Sequence, residues 1–188
     1  RLRCGDQNIS ALNEDHKKCL WIGTDNGVYR YDPIMEEFTF INDKATNGKE
    51  MRGWVNHITN DDEGNVWIVI PDDGIFRYTP EGILYGYQTT FSSMRERDAL
   101  QYLCVCSDGE IWACSCNNGL FRYDKKSDSF EQITVDNQGR TLLGIEFNTL
   151  SQKGDELILS VHHGGLMAYN YKRNELRDIT LQDFHHTF

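Results

Sequence analysis

Residues 62–70 read Asp62-Glu63-Gly64-Asn65-Val66-Trp67-Ile68-Val69-Ile70 and place a turn signal directly before five consecutive apolar residues. Asp, Gly and Asn are preferred in tight turns, so the first half of the stretch predicts a hairpin turn. The second half lacks the polar residue at every other position that a half-exposed strand would show. It therefore predicts a β-strand whose sheet is covered by protein on both faces.

The same stretch occurs four times along the chain. The central residues are Trp21, Trp67, Trp112 and Ile158, at steps of 46, 45 and 46 residues. Six or seven residues later each copy has a glycine, followed by an apolar pair, a basic or small residue and a tyrosine, in the segments 28–31, 75–78, 120–123 and 166–169. A large apolar residue lies seven positions beyond each of these tyrosines. Four anchors in four copies establish an internal repeat.

Each copy reads as four short antiparallel strands. The first strands are predicted at 9–12, 55–58, 100–105 and 145–150, the tryptophan strand is the second, the glycine opens the third, and a polar turn leads to the fourth. Only 93–99 has the composition of a helical turn, with Ser93 and Glu96 at capping-box spacing.

A four-stranded unit of about 46 residues that exposes two apolar faces is typical of a β-propeller blade, because only neighbouring blades cover both faces. A parallel β-helix has shorter rungs and lacks the hairpin turns. We therefore predict an all-β fold of four four-stranded antiparallel blades, forming part of a propeller. The predicted blades are 1–46, 47–92, 93–138 and 139–188.

Composition narrows the possible functions. The 188 residues include 19 basic and 29 acidic side chains, and the formal net charge of −10 argues against a nucleic-acid partner. No apolar run approaches the roughly 20 residues of a membrane helix, so we expect no direct membrane insertion of this segment. The chain begins at Arg1 without a leader, and we expect it to be a piece of a longer protein.

The repeats resemble those of the two-component regulator propeller family. The resemblance rests on Leu20-Trp21-Ile22-Gly23-Thr24, Asn26-Gly27 and Tyr29-Arg30-Tyr31-Asp32-Pro33 in the first copy, and on 62–68 in the second. The third copy keeps 108–112 with Gly119 and Leu120. The fourth departs most, because it lacks both the tryptophan and the arginine.

This resemblance implies a sensor. Such propellers form the extracytoplasmic, periplasmic part of inner-membrane hybrid two-component systems of Bacteroidetes, which carry a histidine kinase and respond to oligosaccharides. The implied role of this chain is ligand sensing without catalysis, with an oligosaccharide as ligand and a homodimer formed through the parent ectodomain. The alternatives are a propeller of an extracellular carbohydrate-active enzyme and a protein-interaction scaffold.

Catalytic and metal motifs are missing from the sequence, and we predict no catalytic residues, no metal site and no cofactor. Six cysteines include the pairs Cys104/Cys106 and Cys114/Cys116 on either side of one hairpin turn. A zinc site or cross-strand disulfides would need both pairs on one face, which depends on the register. We expect small buried apolar side chains instead. Neighbouring histidines, as in His162-His163 and His185-His186, point to opposite sides of a strand and make no metal clamp.

The candidate binding residues follow from position. Propeller ligands usually meet the face formed by the turns between second and third strands together with the linkers between blades. The candidates on that face are Asp25, Asn26, Arg52, Trp54, Asp72, Asp73, Arg95, Asn117, Asn118, His162 and His163. Trp54 could stack on a sugar ring, and the arginines could hydrogen-bond to it. The recurring Arg30, Arg77 and Arg122 are expected to lie along the sheets with their charged ends near the turns at Asp32 or Asp124.

Overall fold

The computed structural model describes residues 8–41, 43–71, 73–87 and 100–179. Regular structure in these ranges is entirely β, without an α-helix, which confirms the all-β prediction. The helical turn predicted at 93–99 lies outside the described residues. No helix in the described ranges is long and apolar enough to cross a membrane.

Sixteen strands form four antiparallel four-stranded units, each with its strands in chain order, and main-chain pairing joins the third and fourth units into one eight-stranded sheet. The four units are called sheets one to four below. Sheet one contains β1 (Ile9–Glu14), β2 (Leu20–Thr24), β3 (Gly27–Asp32) and β4 (Glu37–Ile41). Sheet two contains β5 (His57–Asn60), β6 (Val66–Ile70), β7 (Gly74–Tyr78) and β8 (Leu84–Tyr87). Sheet three contains β9 (Leu100–Val105), β10 (Ile111–Asn118), β11 (Leu120–Asp124) and β12 (Ser129–Ile133). Sheet four contains β13 (Leu143–Lys153), β14 (Glu156–Val161), β15 (Gly165–Asn170) and β16 (Glu175–Asp178).

The four sheets pack face to face as the blades of a partial propeller. The first strands contact one another in sequence, β1 with β5, β5 with β9, and β9 with β13. The described residues give no comparable contact between β13 and β1 that would close a ring. The blades therefore form an open arc with two end faces.

Side chains of alternating strand positions fill the space between blades. Trp21 of blade 1 packs with Ile68 and Phe76 of blade 2, whereas Trp67 of blade 2 packs with Phe121 of blade 3. Each tryptophan thus faces the following blade. Its neighbour in the strand faces the preceding blade, as Ile68 does in blade 2, so the tryptophan strand is apolar on both faces.

The glycine that opens each third strand is required by backbone geometry. Gly119 has a φ of +76°, and a Cβ there would lie 2.4 Å from the carbonyl oxygen of Ile133. No other residue fits this position, so the repeated glycine marks where the chain turns between the second and third strands.

Blades 3 and 4 are also joined by main-chain pairing. The end of β10 continues past its own sheet and pairs with β13, with Cys116 opposite Glu146 and Asn118 opposite Leu143. This pairing starts β13 earlier than the predicted 145–150, and pairing with β14 extends it to Lys153. In blade 2 the first strand starts later than predicted, because the Val55 amide donates to the Thr24 carbonyl of blade 1 instead.

Candidate functional site

The linker between blades 1 and 2 is fastened to the turn between β2 and β3. The Val55 amide donates to the Thr24 carbonyl at 2.9 Å, and the Gly27 amide donates to the Gly53 carbonyl at 3.1 Å. These two bonds hold Trp54, the residue between the two linker positions, at the loop face on which we predicted the ligand to bind.

Several predicted residues meet at this point. The Arg52 amide donates to Asp73 Oδ2 at 3.0 Å, and the Arg52 guanidinium forms an ion pair with Glu50. Trp54 is 50% exposed, although tryptophan is a residue that usually buries its ring. The linker therefore carries a half-exposed indole two residues along the chain from Arg52, whose backbone is bonded to Asp73.

The turn of blade 1 contributes the next two candidates. Asp25 Oδ2 accepts a hydrogen bond from Asn8 Nδ2 at 3.0 Å, and Asn26 is exposed. The main-chain bonds of 53–55 place this turn next to the linker. Asp25, Asn26, Arg52, Trp54 and Asp73 thus belong to one group, whereas Asp72 and Arg95 lie outside the described residues.

The candidates of blades 3 and 4 lie along β13. Asn118 is buried, its amide donates to Ser115 Oγ at 3.1 Å, and its backbone pairs with Leu143. The His162 amide donates to the Glu146 carbonyl at 2.9 Å. Asn118 thus has a structural role in the turn that the sequence did not indicate.

The two adjacent histidines do not point apart. His163 has a φ of +57°, so the chain is not extended there, and the rings of His162 and His163 lie 4.0 Å apart between centroids. The strand geometry used in the prediction does not apply to this turn. Both side chains are exposed, while His185 and His186 fall outside the described residues.

The register of blade 3 places the two cysteine pairs on one face of the sheet, but no cysteine lies directly opposite another. Cys104 lies opposite Trp112, and Cys114 lies opposite Tyr102. All of the cysteines in the described ranges are free thiols, and there no group of three or more His, Cys, Asp or Glu side chains could hold a metal. Cys106 and Cys114 are buried in the core between blades 3 and 4.

The opposite face of the arc is formed by two sets of turns, those between first and second strands and those between third and fourth strands. It contains a contact that the sequence did not predict. Asp15 Oδ2 accepts a hydrogen bond from Trp21 Nε1 at 2.8 Å, and Asp61 Oδ2 accepts one from Trp67 Nε1 at the same distance. The second carboxylate oxygen of Asp15 accepts two amides of its own turn, both at 2.9 Å. One carboxylate thus fixes a hairpin turn and an indole together. An aspartate six residues before a tryptophan was the available signal.

Blade 3 has Cys106 at the position of this aspartate. The buried Trp112 Nε1 consequently has no hydrogen-bond partner within the described part of the chain.

The guanidinium groups of Arg30 and Arg122 lie within electrostatic reach of Asp32 and Asp124, as expected, but their hydrogen bonds go to other partners. Arg30 donates to Cys19 Sγ at 2.9 Å, and Arg122 donates twice to Glu110, at 2.8 and 2.9 Å. Arg77 reaches blade 3. None of these hydrogen bonds goes to Asp32 or Asp124.

Arg77 is the centre of a polar cluster between blades 2 and 3. Its Nη1 donates to the Tyr123 hydroxyl at 3.0 Å, and its Nη2 lies 3.3 Å from Asp128 Oδ1. The guanidinium lies over the ring of Tyr85 at 4.6 Å, a cation–π geometry. The hydroxyls of Tyr123 and Tyr87 both donate to Asp128 Oδ1, at 2.5 and 2.7 Å. Burial, with this carboxylate as a further cause, raises the pKa of Tyr123 to about 12.

The corresponding space between blades 1 and 2 is a cavity of about 430 Å³. Its walls include Trp21, Arg30, Tyr78, Pro80 and Gly82. A volume of this size is within the range of small-molecule sites. The cavity lies on the hairpin face, away from the predicted binding residues.

Comparison with known proteins agrees with the repeat resemblance. Residues 5–26 match the sequence model of the family described as two component regulator propeller. No curated protein sequence matches the chain.

Solved structures share the fold at low sequence identity. The extracellular domain of a putative hybrid two component system from B. thetaiotaomicron is 14% identical with a TM-score of 0.75, over 96% of this chain and 26% of that one. The extracellular domain of a putative one component system from the same organism is 21% identical with a TM-score of 0.70, over 94% and 26%. Virginiamycin B lyase from Staphylococcus aureus is 15% identical with a TM-score of 0.73, over 95% and 57%. The chain thus spans about a quarter of the two Bacteroides domains, and the partial-propeller fold is confirmed.

Proposed function

We propose that this chain is a ligand-sensing segment of an extracytoplasmic propeller in a two-component regulator, and that its ligand is an oligosaccharide. Support comes from the family match at 5–26 and from the extracellular two-component domains that share the fold. The segment itself would bind and not catalyse, in a periplasmic region that signals through a histidine kinase. Homodimerisation of the parent ectodomain is part of the same proposal.

The observation that carries the proposed ligand is the half-exposed Trp54 in a fixed linker. An indole held by backbone bonds on both sides can stack on the apolar face of a sugar ring with little loss of entropy. Arg52 and Asp73 beside it offer a donor and an acceptor for sugar hydroxyls. Ligand binding there would shift a two-state equilibrium of the parent receptor.

A thermal-shift and calorimetry screen against neutral oligosaccharides tests the ligand. We expect one glycan to bind, and Trp54→Ala to weaken that glycan about tenfold, since an aromatic contact contributes roughly 0.5–1.5 kcal/mol beyond area burial. Ile83→Ala is the matched control, because Ile83 is 44% exposed but lies in the turn directly before β8, on the other face. Binding that survives Trp54→Ala unchanged would refute this site, and the lack of binding by any glycan would refute the sugar proposal.

The longer protein that contains this segment tests the sensor role. Its sequence after the propeller should contain a membrane helix and histidine-kinase motifs. A downstream carbohydrate-active catalytic domain would instead favour an accessory propeller of an enzyme.

A further inference from the structure

Equivalent positions of the repeats form the same hydrogen bond in blades 3 and 4. The Tyr123 hydroxyl donates to Asp128 Oδ1 at 2.5 Å, and the Tyr169 hydroxyl donates to Asn174 Oδ1 at 2.7 Å. In both cases the acceptor has a positive φ and lies two residues before the apolar residue paired with the tyrosine. The third-strand tyrosine and this turn position therefore form a recurring pair.

Blade 2 keeps the tyrosine but lacks its acceptor. The tyrosine is Tyr78, and the turn position is Gly82, with a φ of +86°. A Cβ at Gly82 would lie 3.4 Å from the Tyr78 hydroxyl oxygen, so a side chain there would reach that hydroxyl. Within the described residues the hydroxyl of Tyr78 makes no hydrogen bond.

The arginine of blade 1 lacks the same partner. Arg77 and Arg30 occupy equivalent positions, because each pairs across the strand with the tryptophan of its own blade. Arg77 finds the Asp128 carboxylate at 3.3 Å, whereas the nearest carboxylate to Arg30 is Asp15, at 4.0 Å from its Nε. The Asp15 oxygens already accept bonds from the Trp21 indole and from two turn amides. The Asp32 carboxylate acts on Arg30 only from beyond ion-pair distance, so no carboxylate pairs with Arg30 as closely as Asp128 pairs with Arg77.

The missing carboxylate coincides with the cavity. Arg30, Tyr78 and Gly82 all line the space of about 430 Å³ between blades 1 and 2. Tyr78 packs edge-on against Trp21, with ring centroids 5.0 Å apart, so the wall of the cavity is aromatic. A ligand could occupy the position between blades 1 and 2 that the Asp128 side chain occupies between blades 2 and 3.

Charges around the cavity restrict what can enter. Lys17 lies at the rim with its Nζ 3.1 Å from the Pro80 carbonyl, but Asp62, Glu63 and Glu81 line the same cavity. These acidic residues disfavour a polyanion, while Arg30 favours a single negative charge.

We propose that this inter-blade cavity binds a small molecule carrying one carboxylate. The carboxylate takes the place that Asp128 has in the next interface, accepting a hydrogen bond from the Tyr78 hydroxyl and pairing with the Arg30 guanidinium. The remainder of the ligand contacts Pro80 and the aromatic wall. Both a uronic acid and a simple aromatic acid have this chemistry. The site is separate from the oligosaccharide face, and either can exist without the other.

The first test needs no ligand. In Gly82→Asp the chain supplies its own carboxylate, and we expect a higher unfolding midpoint than in Gly82→Ala, which has the same backbone penalty without the acid. Adding Tyr78→Phe to both variants should reduce the difference between them, because only the pairing with Arg30 then remains. The proposal is wrong if Gly82→Asp and Gly82→Ala unfold alike, or if Tyr78→Phe leaves the difference undiminished.

The second test uses D-glucuronate and benzoate, with D-glucose and benzamide as uncharged counterparts, followed by calorimetry and tryptophan fluorescence. We expect millimolar binding of a carboxylate, weakened about tenfold by Tyr78→Phe, abolished by Gly82→Asp and unchanged by Trp54→Ala. Tighter binding of D-glucuronate would identify a uronic acid as the ligand, and tighter binding of benzoate would identify an aromatic acid. Equal binding of the uncharged counterparts, binding that survives Gly82→Asp, or no carboxylate binding at all would overturn the site while leaving the sugar proposal to its own test.

Discussion

A single substitution in the repeat separates blade 3 from blades 1 and 2. Asp15 and Asp61 each bind the indole of their tryptophan, but Cys106 leaves Trp112 Nε1 without a partner in the described part of the chain. A buried donor that is not hydrogen-bonded costs about 1–3 kcal/mol of stability. Blade 3 therefore has an unsatisfied buried donor at a position where blades 1 and 2 satisfy it with an aspartate.

We predict that Cys106→Asp stabilises the chain by about 1 kcal/mol, because the new carboxylate accepts from Trp112 Nε1 and the turn amides. The gain is reduced by repulsion from Asp108 and Glu110, which lie near Cys106. Urea unfolding measures it, and Cys106→Ala is the control that removes the thiol without adding an acceptor. A Cys106→Asp variant no more stable than Cys106→Ala would contradict the role assigned to the aspartate.

At the scale of the strand, the inner edges of the blades form a row of contacts. His57 at the start of β5 stacks on Tyr102 of β9 with ring centroids 3.6 Å apart. Asn13 of β1 donates to Asn60 Oδ1 of β5 at 2.6 Å. Burial lowers the pKa of His57 from 6.5 to about 4, so the folded protein keeps this ring neutral at neutral pH.

We predict that the free energy of unfolding decreases as the pH is lowered from 6.5 to 4. Over this window the unfolded chain binds a proton at His57 that the folded chain does not, so acid favours unfolding. The loss attributable to His57 is at most about 3 kcal/mol, given about 1.4 kcal/mol per pKa unit. Urea midpoints measured across this range should depend less on pH in His57→Gln than in the parent protein. His162→Gln, which changes an exposed histidine, should leave the slope as it is, and a slope unchanged by His57→Gln would contradict the prediction.

Features that depend on one repeat alone were predictable from the sequence, whereas contacts that depend on the neighbouring blade were not. The blades were predictable because the tryptophan or the isoleucine that replaces it, the glycine and the tyrosine recur at nearly the same spacing in all four copies. The partners of Arg30 and Arg77 were not, because they depend on whether the next blade has Gly82 or Asp128. The turn at His163 was missed because a positive φ outside glycine gives little signal in composition. Trp54 was predictable as a candidate because it lies in a linker, outside the repeated apolar positions of the blades.

At the scale of the whole molecule, the two ends of the arc differ. The free face of blade 1 has a row of paired apolar residues, Leu12, Ile22, Tyr29 and Phe40, and Leu12 and Phe40 are 59% and 39% exposed. The outward face of blade 4 has an ion pair between Arg177 and Glu156, at 3.0 Å, and a hydroxyl contact between Thr149 and Ser160. Within the described residues, it is the blade 1 end that resembles the faces buried between blades.

We predict that the isolated chain self-associates through blade 1. Replacing Phe40 with Lys should weaken association roughly 10-fold or more, since a buried apolar side chain contributes about 1.5–3 kcal/mol. Sedimentation equilibrium over a concentration series measures this. Leu166→Lys, at the blade 4 end, is the control and should have no effect. A compact monomer at all concentrations would argue for a closed ring and against the open arc.

The ladder between β10 and β13 has a mechanical consequence. A ladder of main-chain hydrogen bonds resists shear. Blades 1 and 2 have no such ladder in the described residues, only the single main-chain bonds at the linker, and blades 2 and 3 have no ladder there either, so packed side chains at these interfaces can slide more easily. Under tension along the chain, blades 3 and 4 should move as one stiff plate, and bending should concentrate at the earlier interfaces. The cavity at Arg30 lies in one of those compliant joints, so a molecule bound there would stiffen the joint between blades 1 and 2 and leave bending to the joint between blades 2 and 3.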